Sequence, residues 1–296
     1  MPRSTADVYR RFGEVDAAGT LYGRVAVAVS ASDEALRAVA ATPARRRHPA
    51  TVLAALHDLA LAGRAPALAA AYAGRDGDAA AAAAIDTLRR MTDEVVAVAG
   101  RRRVRPDETG RCAVLHPMIA EAAHRAGADA VGLIDVGCSA GLNLSVDRVH
   151  LTYDDGTSRG DPSSPVRMSA SVVGDRPVPL RGVPEVVARV GVDPEPVDVT
   201  DPDDARWLRA CLPPDQPERA ARLEAELALA AADPPRLLRG DPAEVVGDAV
   251  ARVPADALPV VTTTWVLSRL APERRLRFLH RLHDAAGGRA LAWVSA

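Results

Sequence analysis

The second half of the chain alternates short apolar segments with amphipathic ones, and this alternation limits the possible folds more than any other feature. The run Val131–Val136 is apolar almost throughout, as is typical of a central strand in a parallel sheet. Further strand candidates lie at Val190–Asp193, Arg236–Arg239, Pro259–Trp265 and Arg289–Ser295, separated by helix candidates at Asp203–Cys211, Pro217–Ala231, Pro242–Arg252 and Pro272–Ala286. This alternation predicts an α/β fold in which helices cover a parallel sheet.

The first half has a different character. Residues 1–127 show helical periodicity, including one long helix predicted from Asp78 to Gly100 and another over Thr109–Arg125. We therefore predict an all-helical N-terminal domain over 1–127 and an α/β domain over 128–296. Within the second domain, turn residues and alternating segments predict a β-hairpin insertion at about 149–180.

Amino-acid composition excludes several function classes. All 37 basic side chains are arginine, since the sequence contains no lysine. Walker P-loops, pyridoxal Schiff bases, kinase strand lysines and lysine aldolases all need an ε-amine and are therefore excluded. The 3 Trp, 4 Tyr and 2 Phe are too few for a base-stacking platform, so we expect no nucleic-acid partner.

Cysteine usage and hydropathy point to the cytoplasm. Cys112, Cys138 and Cys211 are odd in number and lack CxxC spacing, which argues against a disulfide framework or a zinc site. The N-terminus begins no signal region, and no apolar run approaches the length of a membrane span. We therefore predict a cytoplasmic protein with no membrane association.

The segment Leu133–Leu144 carries the strongest chemical signal. A strand ends near Asp135, a turn of small residues runs from Gly137 to Gly141, and a helix is expected to begin after the turn. The glycines allow the backbone to approach a cofactor closely, and free amides at a helix start can hold a carboxylate. This D-x-G-x-x-x-G arrangement resembles motif I of class I S-adenosylmethionine-dependent methyltransferases, in which Asp135 would face the methionine amine.

Other interpretations of this turn compete with cofactor binding. Ser139 and Asn143 occupy the wrong places for the G-x-G-x-x-G fingerprint of dehydrogenases. The same turn also spells G-x-S-x-G, the nucleophile elbow of α/β-hydrolases, with Ser139 as nucleophile. Against that reading, nothing upstream resembles a strand, and His280 and His283 lie within a predicted helix. A glycine-rich turn that binds nothing is the remaining alternative.

Downstream residues favour an adenosyl cofactor. Asp193 ends a strand candidate, where a carboxylate is expected to hold ribose hydroxyls. Asp241 follows the next strand, either beside the adenine or as the N-cap of the following helix. Asn143, the sole asparagine of the chain, lies in the proposed cofactor turn. Thr262–Trp265 would face the substrate, although the D-P-P-Y or N-P-P-Y tetrapeptide of amino-group methyltransferases is absent there.

The chain as a whole resembles a family of uncharacterised bacterial proteins that is similar to class I methyltransferases. The resemblance rests on Phe12, Gly19, Tyr22, Pro49–His57, Glu108–Cys112, Gly137–Leu144, Asp147, Arg148, Arg189–Pro194 and Arg206–Leu208. The chain departs from the family at Arg105–Glu108, where the family usually reads Gln-Thr-Asn-Glu. The resemblance also implies a Rossmann-like sheet of seven strands, and the sequence offers no candidates for the last two. Either the chain is shortened, or a partner such as a second copy covers the edge at Arg289–Ser295.

Candidates for the catalytic groups lie near the cofactor turn. Glu108, Asp147 and His150 are possible bases, and Arg111 or Arg148 would orient an anionic substrate. For each of them a surface salt bridge is the alternative role. No set of metal ligands is identified.

The predicted function is therefore S-adenosylmethionine-dependent methylation of a small molecule bound between the two domains. Its cofactor residues would be Asp135, Gly137, Ser139, Gly141, Asn143, Asp193 and Asp241. A non-catalytic protein that binds an adenosyl metabolite or a partner chain is the second interpretation, and a serine hydrolase is the third.

Overall fold

The computed structural model describes residues 4–105, 110–174, 177–179 and 181–296. The described helices are α1 (Thr5–Arg11), α2 (Leu21–Ser30), α3 (Asp33–Ala41), α4 (Pro49–Leu61), α5 (Pro66–Ala73), α6 (Gly77–Arg90), α7 (Thr92–Arg101), α8 (Cys112–Ala126), α9 (Pro202–Ala210), α10 (Pro217–Ala232), α11 (Pro242–Val250) and α12 (Pro272–Ala286). The strands are β1 (Ala130–Val136), β2 (His150–Tyr153), β3 (Ser158–Gly160), β4 (Arg167–Ala170), β5 (Glu185–Asp193), β6 (Arg236–Arg239), β7 (Leu258–Thr263) and β8 (Ala292–Ser295).

The chain divides into two compact units, each made of two segments. The first combines Met1–Asp107 with Pro202–Ala221, and the second combines Glu108–Asp201 with Arg222–Ala296. The sequence placed the boundary at 127/128 instead. In this division α8 belongs to the second unit, and α9 belongs to the first because its Trp207 is buried in the core of that unit.

The core of the first unit surrounds α4. Pro49 occupies the first turn of this helix, where its missing N–H has no intrahelical acceptor to lose, and both Leu53 and Leu56 are fully buried. Trp207 packs in the same cluster, and its Nε1 donates a hydrogen bond to the carbonyl of Arg103 at 2.7 Å.

Among the described residues no single helix is long and apolar enough to cross a membrane. Helices α4 and α5 reach the required length and hydropathy only when they are taken together, and they are bent by 100° relative to each other.

The single long helix predicted from Asp78 to Gly100 is wrong, because two helices, α6 and α7, occupy this stretch. They meet at Met91, whose φ of −123° and ψ of 36° lie outside the helical range. Thr92 donates its hydroxyl to the carbonyl of Leu88 at 2.7 Å, which is the acceptor that its own N–H would use in a continuous helix. Local side-chain bonding therefore competes with helix continuation at this position.

The second unit is built on a five-stranded sheet with the order β6-β5-β1-β7-β8, and every strand pair in it is parallel. The predicted α/β fold with a parallel sheet is confirmed. β1 lies at the centre, and all its residues after Ala130 are buried. From β1 the chain first builds one side of the sheet with β5 and β6, and then the other side with β7 and β8. The strand order thus reverses at β1.

A second, smaller sheet lies between β1 and β5 in the sequence, in the stretch expected to hold a β-hairpin insertion. β2 and β3 form an antiparallel hairpin, and β4 adds a third strand that runs parallel to β2. Leu151 and Met168 are buried and pack with α8 residues such as Leu115 in one hydrophobic cluster. The crossover from β1 to β5 is therefore occupied by a small sheet instead of the long helix of an ordinary βαβ unit.

Candidate functional site

The carboxyl edge of β1 is where the sheet places the predicted cofactor residues. In open parallel sheets, ligands bind outside the carboxyl ends of the strands at the point where the strand order reverses. Asp135 lies in register with Gly191 of β5 on one side and with Thr262 of β7 on the other. Asp193 ends β5 two positions beyond Gly191. The topology therefore brings the ends of three separate chain segments to one edge.

Asp135 is a buried carboxylate with uncharged hydrogen-bond donors. Its side chain accepts hydrogen bonds from the Thr262 hydroxyl at 2.8 Å and from Asn143 Nδ2 at 3.4 Å, and the residue is 1% exposed. Burial raises the pKa of Asp135 to about 6, although both hydrogen bonds and the nearby Arg111 charge act in the opposite direction. A cation that binds beside Asp135 would therefore stabilise the ionised form of its carboxylate.

The turn after β1 has an unusual backbone. Gly137, Ser139 and Gly141 have φ values of +77°, +53° and +73°. The left-handed region suits glycine but is uncommon for serine, so Ser139 stores strain. A Cβ atom on Gly137 would lie 3.0 Å from Val266, and one on Gly141 would lie 3.0 Å from a carbon of the Pro235 ring. Larger residues at these two positions would disturb both the backbone and its neighbours.

Asp193 holds the strained turn in place. Its Oδ2 accepts a hydrogen bond from the Ser139 N–H at 3.0 Å, and its Oδ1 accepts one from the Glu195 N–H at 2.8 Å. The residue is 3% exposed. The predicted contact of Asp193 with ribose remains a prediction, and the observed geometry gives this carboxylate a definite role in shaping the turn.

The helix expected directly after Gly141 is not an α-helix. A four-residue 3₁₀ helix, Leu142–Ser145, follows the turn instead, and the small sheet comes after it. The contact of amides at the start of this helix with a cofactor carboxylate stays a prediction. Asn143 lies on this 3₁₀ helix, from which its carboxamide reaches Asp135.

Asp241 serves as a helix N-cap. Its Oδ1 accepts a hydrogen bond from the Ala243 N–H at 2.9 Å, and its other oxygen pairs with Arg274. These contacts agree with the N-cap role that the sequence offered as the alternative. Its position near an adenine stays a prediction.

The candidate catalytic residues are dispersed. Glu108 lies outside the described residues. Asp147 forms a bidentate ion pair with Arg189, with both N–O distances at 2.7 Å. Its carboxylate is therefore engaged by an arginine of the fold. His150 begins β2 in the small sheet, where its Nδ1 is buried without a hydrogen-bond partner among the described residues. Arg111 alone among the described candidates contacts the carboxyl edge.

Arg111 reaches the edge through Thr264, just after β7. Its Nη1 donates hydrogen bonds to the Thr264 hydroxyl and to the Thr264 carbonyl, the latter at 3.3 Å. Burial lowers the pKa of Arg111, Arg269 lowers it further, and Asp135 raises it, so all three charges lie within electrostatic range. Sequence reasoning expected Arg111 to act on a substrate but had no signal for Thr264 as its anchor or for Arg269 as its neighbour.

Trp265 is a further residue at this edge. Its φ is +58°, and it is 63% exposed although it lies only two residues after a fully buried strand. The sequence predicted that Thr262–Trp265 would face the substrate, but a pattern of side chains does not reveal that Trp265 has a positive φ. Among the described residues, three non-glycine positions have positive φ, and two of them, Ser139 and Trp265, follow the adjacent strands β1 and β7.

Within the described part of the chain, no group of three or more His, Cys, Asp or Glu side chains is arranged to hold a metal ion. Comparison with curated proteins and with solved structures gave no match. A sequence profile for the family described as "uncharacterized protein conserved in bacteria (DUF2332)" matches residues 6–296. Because this match covers nearly the whole chain, the protein belongs to the DUF2332 family of bacterial proteins.

Proposed function

We propose that the protein is an S-adenosylmethionine-dependent methyltransferase that acts on a small molecule. The observation that carries this proposal is the carboxyl edge of β1, where buried Asp135, the positive-φ turn Gly137–Gly141 and Asp193 come together. The strand order supports it, because ligands bind at the point where a parallel sheet reverses its order, and here that point is β1, as we would expect of a Rossmann-like fold.

The groups at this edge suit a cationic cofactor. A bound ammonium or sulfonium would favour the ionised form of Asp135, which burial disfavours. Asp193 closes β5 at the same edge, which is where adenosyl sites place the carboxylate that binds ribose hydroxyls. When bound, S-adenosylmethionine supplies an activated methyl group on its sulfonium.

The residues of this chain would contribute mainly binding and orientation. Asn143 and Thr262 fix the Asp135 carboxylate, and Asp193 fixes the turn at Ser139. Arg111 would orient an anionic acceptor, since it already lies at the same edge. Asp147 is engaged by Arg189, so methyl transfer by this site favours an acceptor that needs little help from a base, such as a thiol.

Calorimetry with S-adenosylmethionine and with its demethylated product tests the proposal. We expect both compounds to bind the wild-type protein. Asp135→Asn should bind S-adenosylmethionine about tenfold or more weakly than the wild type, because a charge-assisted contact is lost. Asp155→Asn, on an exposed turn of the small sheet, is the matched control and should bind normally. A folded wild-type protein that binds neither compound at millimolar concentration would refute the proposal. Binding without transfer to any acceptor would favour the non-catalytic alternative.

A serine hydrolase is the second candidate, and one observation favours it. Ser139 combines the G-x-S-x-G pattern with a φ of +53°, and nucleophile elbows are strained in this way. No hydrogen bond joins Ser139 to a histidine among the described residues, so a catalytic triad is not assembled there. Labelling with a fluorophosphonate decides between the two functions: labelling that disappears in Ser139→Ala would support the hydrolase.

A further inference from the structure

The short 3₁₀ helix that carries Asn143 has little support of its own. It spans only Leu142–Ser145, and the Leu144 N–H donates a hydrogen bond to the Gly141 carbonyl at 3.0 Å. A 3₁₀ segment of this length has weak internal hydrogen bonding, so contacts with other elements determine where it lies. The bond from Asn143 to Asp135 is also long, at 3.4 Å, and a small displacement would break it. The position of this helix therefore decides whether Asn143 reaches Asp135.

Arg189 of β5 fixes this helix from outside. Its Nη1 donates a hydrogen bond to the Leu144 carbonyl, and its Nη1 and Nη2 also bind the two carboxylate oxygens of Asp147 at 2.7 Å each. Asp147 lies two residues after the helix, so one guanidinium holds both the helix and the segment that leaves it. Only 9% of the Arg189 side chain is exposed, so water competes little for these bonds.

Arg189 and Asp135 lie on the same face of the parallel sheet. Arg189 is in register with Leu133 of β1, and Asp135 follows Leu133 by two positions, which is the repeat of side-chain direction in a strand. The 3₁₀ helix is therefore attached to this face at two points. Leu144 is bound to Arg189, and its neighbour Asn143 is bound to Asp135.

We infer that Arg189, together with Asp147, is a positioning residue that keeps Asn143 on Asp135 at the carboxyl edge. An arginine suits this task because its planar guanidinium donates several hydrogen bonds in fixed directions, whereas the lysine ammonium is a point charge on a flexible stem. The inference rests on the proposed function only where it makes this edge a cofactor site, because Arg189 then supports cofactor binding through Asn143.

The titration of the Asp135 carboxyl group, followed by carbon NMR without any cofactor, tests the inference. Its signal is assigned by its absence from Asp135→Asn. Arg189→Lys keeps the positive charge but loses the fixed set of bonds. Since the Asn143 hydrogen bond lowers the pKa of Asp135, we expect this pKa to be about half a pH unit higher in Arg189→Lys than in the wild type. Arg111 and Asp193 also act on this carboxyl group, and the substitution leaves both residues in place.

Arg206→Lys is the matched control. It replaces another partly buried arginine that pairs with two aspartates, Asp58 and Asp203, in the first unit. The pKa of Asp135 should keep its wild-type value in this variant. A rise of equal size there would mean that the loss of any such arginine pair disturbs Asp135, and it would overturn the inference.

A second substitution shows whether the effect passes through Asn143. Asn143→Ala should raise the pKa of Asp135 by itself, and Arg189→Lys should add nothing in that background, because the two residues act on Asp135 in series. An equal rise in both backgrounds, or no rise in folded Arg189→Lys, would overturn the inference. If Arg189→Lys does not fold, Asp147→Asn takes its place, since it removes the ion pair and leaves Arg189 on the Leu144 carbonyl. A smaller rise is expected there, and no rise would count equally against the inference.

Calorimetry with S-adenosylmethionine separates this inference from the proposed function. We expect Arg189→Lys to bind it about threefold to tenfold more weakly than the wild type, because ordering a loosened helix costs binding free energy, and Arg206→Lys to bind it normally. A raised pKa of Asp135 in Arg189→Lys, with no cofactor binding by the wild type, would keep the positioning role and reject the methyltransferase. Cofactor binding by the wild type, with an unchanged pKa in Arg189→Lys, would do the reverse.

Discussion

Both units contain a buried aspartate, and the two are stabilised in opposite ways. In the first unit, Asp58 on α4 is 4% exposed and pairs with Arg206 of α9 at 2.9 Å. In the second unit, Asp135 is 1% exposed, and its hydrogen-bond donors are the neutral Thr262 and Asn143. A buried charge with its own counterion holds structure together, whereas a buried carboxylate with only neutral donors is poised to receive a cation.

The largest expected effect is on the paired aspartate. Arg206→Ala leaves Asp58 buried without its counterion and should lower the free energy of unfolding of the first unit by about 4 kcal/mol. In a Trp265→Phe/Trp293→Phe background, Trp207 is the remaining tryptophan, so its fluorescence during urea unfolding reports on that unit. The matched control, Arg90→Ala, breaks an exposed pair with Asp86 and should change stability far less, because solvent screens this pair. Equal losses in both variants would mean that burial of the Asp58 pair is unimportant.

The second prediction concerns pH and the unpaired aspartate. Folding raises the pKa of Asp135 from 3.8 to about 6, so the native state binds more protons than the unfolded state between these values. The contribution of Asp135 to the free energy of unfolding should therefore fall by about 3 kcal/mol as the pH rises from about 4 to about 7. His57 and His116 contribute in the opposite direction over this range, because burial lowers their pKa values to about 4. Asp135→Asn cannot ionise, so the difference between wild type and variant isolates the contribution of Asp135.

Urea unfolding of the wild type and of Asp135→Asn, followed by circular dichroism across this pH range, gives the difference directly. The variant should be at least as stable as the wild type at pH 7, while losing affinity for S-adenosylmethionine. If Asp135→Asn instead destabilised the protein at pH 7 as much as Arg206→Ala does, Asp135 would be a structural residue like Asp58.

Part of this contrast was accessible from the sequence. Position at a strand end identifies Asp135 and Asp193, because an acidic residue that closes an apolar run must lie at the edge of the sheet. Prolines placed the starts of α10, α11 and α12 correctly, since proline fits the first turn of a helix and disfavours its interior. These features depend on local chemistry, which a sequence pattern records.

The remaining features depend on contacts between distant segments. Arg206 lies 148 positions from Asp58, and Arg111 lies 153 positions from Thr264. The sequence held no sign of either pair. The sequence also did not show that the helix after Gly141 is a short 3₁₀ helix, because glycine spacing predicts a turn but does not determine the type or length of the helix that follows it.

The smallest expected effect compares two strained residues, one in each unit. Arg75 and Ser139 both have a φ of +53°. Replacing either with glycine removes the steric penalty of the left-handed region, and this gain partly offsets the greater freedom of glycine in the unfolded chain, so stability should change by about 1 kcal/mol or less. Thermal unfolding of Arg75→Gly and Ser139→Gly measures both effects.

The two glycine variants should nevertheless differ in function. Ser139 donates its N–H to Asp193, so a more flexible backbone there loosens the turn that the proposed cofactor would contact, whereas Arg75 follows α5 in the helical unit. We expect Ser139→Gly to bind S-adenosylmethionine about threefold to tenfold more weakly, since ordering a flexible turn costs binding free energy, and Arg75→Gly to bind it normally. Normal binding by both would mean that the strain at Ser139 follows from packing alone and does not preorganise a site.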